Sequence, residues 1–127
     1  MKMKKDIKNR KDIEKLVDAF YEKVKTDTEI GYLFNDVAQV NWDDHLPKMY
    51  DFWENILFCN GNYNGNPMVV HKELHQKSTM TQHHFHHWTT LFKATVDELF
   101  AGKKSEEIKE RAFNIAYALM AKTLYQY

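Results

Sequence analysis

The stretch Trp42-Asp43-Asp44-His45-Leu46-Pro47-Lys48-Met49-Tyr50-Asp51-Phe52-Trp53-Glu54-Asn55-Ile56-Leu57-Phe58 decides the fold. His45, Met49, Phe52, Trp53, Ile56 and Leu57 recur at three- and four-residue spacing, the signature of one helix face. Asn41 or Asp43 is the candidate cap. Pro47 is tolerated only in a first turn, so the regular helix is expected to start later than these caps. Beyond it, Gly61-Asn62-Tyr63-Asn64-Gly65-Asn66-Pro67 is turn chemistry. A short helix is expected from Pro67 through His71 to Leu74. His45 and His71 stand 26 positions apart with an apolar stripe between them. Two walls of one pocket that each offer a histidine point to a metal or a cofactor.

Working outward, the same periodicity returns three times. Asp12 is a plausible N-cap for a helix bearing Ile13, Leu16, Val17, Phe20, Tyr21 and Val24. A short helix or turn follows from Asp27 to Asn35. After a polar loop at Lys77–Met80, Thr79 or Thr81 caps a long helix with Phe85, Trp88, Leu91, Phe92, Thr95, Val96 and Leu99, closed by Gly102. Ser105 caps the last helix, with Ile108, Ala112, Ile115, Ala116, Leu119, Met120, Thr123 and Leu124 on one face. No segment alternates with period two, so the class is all-α. The lysine-rich first ten residues read as an irregular lead-in.

At 127 residues the chain is expected to form a single domain, 1–127, with one real core. Lys+Arg and Asp+Glu are both 18, and this balance argues against nucleic acid and anionic membrane as partners. No signal-peptide pattern or span of about 20 apolar residues is present, and the lone Cys59 has no internal disulfide partner. The expected location is the cytoplasm. Aromatic residues make up 14%, a load that suits a flat guest as well as a core.

Taken singly, the chemistry-bearing residues are modest signals. A histidine near a helix end, as at His71, is ordinarily a partly exposed surface residue, yet a neutral imidazole in an apolar pocket is also a standard axial ligand of haem iron. His45 would ordinarily turn its ring nitrogen to solvent. Tyr21 and Trp88 each carry one polar atom on an apolar face, and Phe34, Phe52, Trp53, Phe85 and Phe92 read first as core. His83, His84, His86 and His87 cluster at the start of the Trp88 helix. Pairs three and four apart share a face there and could bind Zn²⁺ or Cu²⁺ weakly, although a solvated helix start is the plainer reading.

Together the residues resemble a known family. Phe20-Tyr21, Phe34, Trp42 with His45, Asp51-Phe52-Trp53, Tyr63-Asn64-Gly65-Asn66-Pro67 followed by His71, and Trp88 with Phe92 resemble the truncated haemoglobins of group III. The similarity runs from about Leu16 to Tyr127. Paired glycines, which other truncated haemoglobins carry, are absent here as they are in group III. The resemblance implies a two-over-two helical sandwich around a b-type haem. It implies His71 as the proximal iron ligand, with Tyr21, His45 and Trp88 as the distal pocket; His45 swung inward could occupy the sixth position and swung outward could act as a gate, and sequence does not choose between them. Phe34 would stack on the haem, and Met49, Phe52 and Phe92 would line the cofactor face.

O₂ gains electron density at ferrous haem, so donors such as the Tyr21 hydroxyl and the Trp88 indole favour it over CO. Hydrogen bonds to charged groups contribute roughly 1.5–3 kcal/mol each, so two of them slow O₂ release by about 10²–10⁴-fold. The first reading is therefore a globin handling O₂, NO or CO, as a monomer or weak oligomer. A second is a haem enzyme for nitric-oxide detoxification or peroxide chemistry. It would need a separate reductase, since no dinucleotide fingerprint is present. A third is a histidine-rich zinc module without haem.

Overall fold

The computed structural model describes residues 4–37, 39–59 and 81–124, without the side chains of 37 and 121–124. The expected short helix after Pro67, and His71 with it, lie outside these residues. Four α-helices account for most of the described chain: α1 Arg10–Thr26, α2 Trp42–Phe58, α3 Gln82–Leu99 and α4 Lys103–Leu124. Among the described residues there is no strand, and no helix is long and apolar enough to cross a membrane. α1 packs on α2 and α3, and α4 packs on α3 and α2, a two-over-two sandwich.

Each helix is placed by its apolar face, and three of the four are also capped by a residue local to them. The cap of α1 is Asn9 rather than Asp12. The Asn9 side chain accepts from the Asp12 backbone N–H at 3.2 Å, while the Asp12 carboxylate accepts from the Lys8 N–H at 2.8 Å. Asp12 thus serves in the first turn, where acidic residues complement the helix dipole. Ile13, Leu16, Val17, Phe20, Tyr21 and Val24 are all buried, as their spacing predicts.

At the end of α1, the Asp27 carboxylate accepts from the backbone N–H groups of Glu29 and Ile30, at 2.8 and 3.0 Å. The chain turns back tightly here. A Cβ added at Gly31 would sit 2.8 Å from the Val24 carbonyl oxygen, so only glycine allows the approach. A single wide turn over Leu33–Val37 follows.

Asn41 caps α2, accepting from the Asp43 N–H at 3.1 Å. The helix runs unbroken through Pro47 from Trp42, contrary to the later start expected of it. Pro47 lies close enough to the N-terminus that its missing N–H removes a single bond near the helix start. Arg10 clamps α1 to this helix by donating to Asp51 at 2.7 Å and Glu54 at 2.9 Å. Thr81 caps α3, and here the box is closed by a histidine. The Thr81 side chain accepts from the His84 N–H while His84 Nδ1 accepts from the Thr81 N–H.

Two expectations around the final turn are corrected. α3 ends at Leu99 with Phe100 as its cap, short of Gly102. Ser105 is not the cap of α4 but a buried residue inside it. The capping acceptor comes instead from the lead-in. Asp6 takes the backbone N–H groups of Lys104 and Ser105 at 2.9 and 2.8 Å, and the Ser105 hydroxyl at 2.7 Å. With Ile7 buried and Lys5 O accepting from Ala101 N, the irregular lead-in is stitched to the α3–α4 corner.

The centre of the core is a stack of flat rings. Trp53 of α2 lies on Phe92 of α3 at 4.7 Å and 24°, and Phe92 lies on Trp88 at 5.6 Å and 11°. Phe20 of α1 sets its edge against both Trp88 and Phe92, at 5.4 and 5.1 Å. Such offset and edge-on pairings satisfy the ring quadrupoles. The buried Thr95 hydroxyl donates back to the Leu91 carbonyl, so no partnerless hydroxyl is left in this layer.

Candidate functional site

A second aromatic group surrounds His45. Because His45 stands three residues after Trp42 on α2, the two share a face, with ring centroids 5.6 Å apart. Tyr21, brought from α1 by its position on the buried stripe, meets His45 edge-on at 5.3 Å and Trp42 at 5.4 Å. Phe34, carried by the wide turn, stacks on Trp42 at 27° and approaches Tyr21 at 6.0 Å. Tyr21 is 4% exposed, and the Nε2 atom of His45 is enclosed. One imidazole and one phenol, both able to donate or accept, therefore face each other inside an aromatic wall.

Trp88 belongs to the other aromatic group. Phe20 stands between it and Tyr21, touching Tyr21 at 4.9 Å and Trp88 at 5.4 Å. Of the three residues read as distal, which come from three helices, Tyr21 and His45 are in direct ring contact, whereas Trp88 adjoins Tyr21 only through Phe20. Phe34, Met49 and Trp88 are half-buried, packed on the core on one side. Phe52 is buried, and Phe92 is wholly enclosed by Phe20, Trp53 and Trp88.

Half-buried aromatic and thioether surface beside an enclosed ring nitrogen suits a flat, mostly apolar group with a metal at its centre. Haem fits that description. Sequence reading gave Trp42 no role of its own, yet it touches Tyr21, Phe34 and His45. Its three-residue offset from His45 was the available signal. The Lys25 ammonium lies 4.9 Å over its ring, closing the outer side.

A sequence profile described as Bacterial-like globin matches residues 5–121. The chain belongs to the bacterial-like globins. Within them it is similar to the group 3 truncated hemoglobin ctb of Campylobacter jejuni, 32% identical over 117 residues that cover 90% of each chain. A crystal structure of group III truncated hemoglobin from Campylobacter jejuni superposes with a TM-score of 0.83 at 30% identity, covering 95% of both chains. The four-helix arrangement is the truncated globin fold, and globin membership implies haem binding.

The histidine cluster of this globin stands at a partly solvated helix start, with His83 and His86 exposed, yet three of its rings have side-chain partners. His83 Nε2 lies 2.7 Å from Glu29 Oε1, and His87 Nε2 lies 2.8 Å from Asp27 Oδ2. His84, besides closing its cap, reaches the Tyr32 hydroxyl at 3.3 Å. His86 is exposed. The partners come from the turn after α1, more than fifty residues away, which is why sequence spacing did not disclose them.

Proposed function

We propose that this globin carries a b-type haem on His71 and binds O₂ and other diatomic gases reversibly, holding O₂ tightly. The observation that supports it best is the contact between Tyr21 and His45, delivered by different helices into one aromatic enclosure. When bound, haem supplies the iron at which a diatomic gas is held. The chain supplies the surroundings. Tyr21 holds a phenolic proton that it can offer to a partly anionic guest, and burial keeps water from competing for it. The Trp88 indole N–H is a second donor from the opposite helix pair. His45 can turn its ring toward the cofactor centre or away from it, acting as a sixth ligand or a gate. Phe34, Met49 and Phe52 are the proposed apolar contacts of the macrocycle, whereas Phe92, expected beside them, is enclosed by Phe20, Trp53 and Trp88 and backs the pocket from the core stack.

Absorption spectra of the ferric, ferrous and ferrous-CO forms test this reading. The purified protein is expected to be red with a Soret band, and His71→Ala to lose the normal axial signature. A colourless protein from haem-replete cells would sink the proposal, as would an unchanged spectrum in His71→Ala. Tyr21→Phe removes one donor, and O₂ release should quicken by about tenfold to a hundredfold in stopped flow. CO release should move much less. His45→Leu should alter the ferric spectrum if His45 is the resting sixth ligand.

A further inference from the structure

The turn after α1 and the first turns of α3 bring together a set of ligating groups that the haem reading leaves unused. We propose that Asp27, Glu29 and His87 form a site for a divalent transition metal of the zinc class, separate from the haem pocket. One ligand atom from each of these three residues lies within 4.8 Å of the others. Zinc bonds of about 2.0–2.2 Å to nitrogen and oxygen can be reached from such positions by small side-chain rotations, with water completing the tetrahedron. An imidazole with two carboxylates favours Zn²⁺ over Ca²⁺ or Mg²⁺, which take oxygen ligands throughout. Two carboxylates also neutralise the charge of the ion.

Two of the three ligands are held by the fold, while Glu29 is exposed. The Asp27 side chain is only 15% exposed, and its Oδ1 is engaged by the Glu29 and Ile30 N–H groups. That leaves Oδ2 aimed at His87. Both nitrogens of the His87 ring face carboxylates, Nε2 toward Asp27 at 2.8 Å and Nδ1 toward Glu29 at 3.0 Å. A divalent cation seated among these groups would be met by a ring lone pair and by one oxygen from each carboxylate, taking the place of a proton that the imidazole shares with them.

His83, one helical turn earlier and stacked on His87 at 5.9 Å, holds the second oxygen of Glu29 at 2.7 Å. It orients the ligating carboxylate as an outer-shell histidine does. Trp88, the next residue along α3, points about 100° away around the helix, toward Phe20. The proposed metal therefore ties the end of α1 to the start of α3 without entering the aromatic enclosure.

Calorimetric titration of the chelator-treated holoprotein with Zn²⁺ alone tests the proposal. The wild type is expected to bind one equivalent per chain. His87→Ala and Asp27→Asn should each lose that binding; the asparagine keeps the oxygen that accepts the turn N–H groups, so the fold is retained. His83→Ala should weaken the affinity by about tenfold, and His86→Ala should leave it unchanged. The Soret band reports haem occupancy in every sample, so failure here is distinguishable from failure of the haem reading. Absence of stoichiometric binding overturns the site, and so does binding that survives in either His87→Ala or Asp27→Asn.

Discussion

Asp6 has no helix of its own, yet it caps one nearly a hundred residues later. Burial works against its charge, but backbone N–H donors from Lys104, Ile7 and Ser105 and the Ser105 hydroxyl outweigh it and hold the carboxyl below its ordinary range. A carboxyl depressed in the folded state stabilises the fold above its unfolded pKa of about 3.9, and that stabilisation is lost as pH falls through the lower folded value. Asp6→Ala should cost about 1–2 kcal/mol in urea unfolding at pH 7. The difference from wild type should shrink as both are compared at progressively lower pH. An equal cost at pH 7 and below pH 3 would mean that packing, not charge-assisted capping, is what Asp6 provides. Its neighbour across the corner, Gly102, has φ +142 and would drive a Cβ to 2.5 Å from Asp6 Cγ, so the pair is one unit.

Among the elements, α3 carries most of the chemistry and depends on a correct start. Thr81 and His84 close its first turn reciprocally. Thr81→Ala is expected to lower stability by about 1 kcal/mol, with amide exchange rising first at the N-terminal end of α3 near His84 and Phe85. Uniform acceleration along the helix would contradict a local cap. Helix identities were legible because apolar residues at three- and four-residue spacing leave little choice of face. Ends were less so. Asp12 and Ser105 have the right chemistry for caps, yet each stands at the third position of its helix, because Asn9 and the distant Asp6 offer their oxygens first. A cap supplied from 98 residues away has no local trace.

At the scale of the molecule, one ring stack couples the core to the proposed distal pocket. Phe92 is fully buried between Trp53 and Trp88, with Phe20 at its edge. Phe92→Ala should cost about 3–5 kcal/mol by leaving a cavity that three rigid rings cannot fill. It should also free Trp88, so that the loss of stability by denaturation is accompanied by faster O₂ release. Stability lost with O₂ release unchanged would show that Trp88 is held by other contacts. The Arg10 clamp acts at the same scale but weakly. Its partners are part-exposed, so salt screens it.

The order of residues by itself determined the all-α class, the faces of the four helices and the family resemblance, since these rest on periodicity and on motifs local to the chain. It also brought Tyr21, His45 and Trp88 forward, but only through the family resemblance, since a polar tip on an apolar helix face reads by itself as an ordinary core residue. Only the tertiary structure decided which side chains meet. Trp42 joined Tyr21 and His45, Phe20 came to stand between Tyr21 and Trp88, and Phe92 was placed in the core stack. His83 and His87 found Asp27 and Glu29 across 54 to 60 positions of sequence. The physical reason is common to all of these. Helix formation is governed by neighbours three and four residues apart, whereas a site is made where helices cross, and the crossing follows from how the buried faces pack.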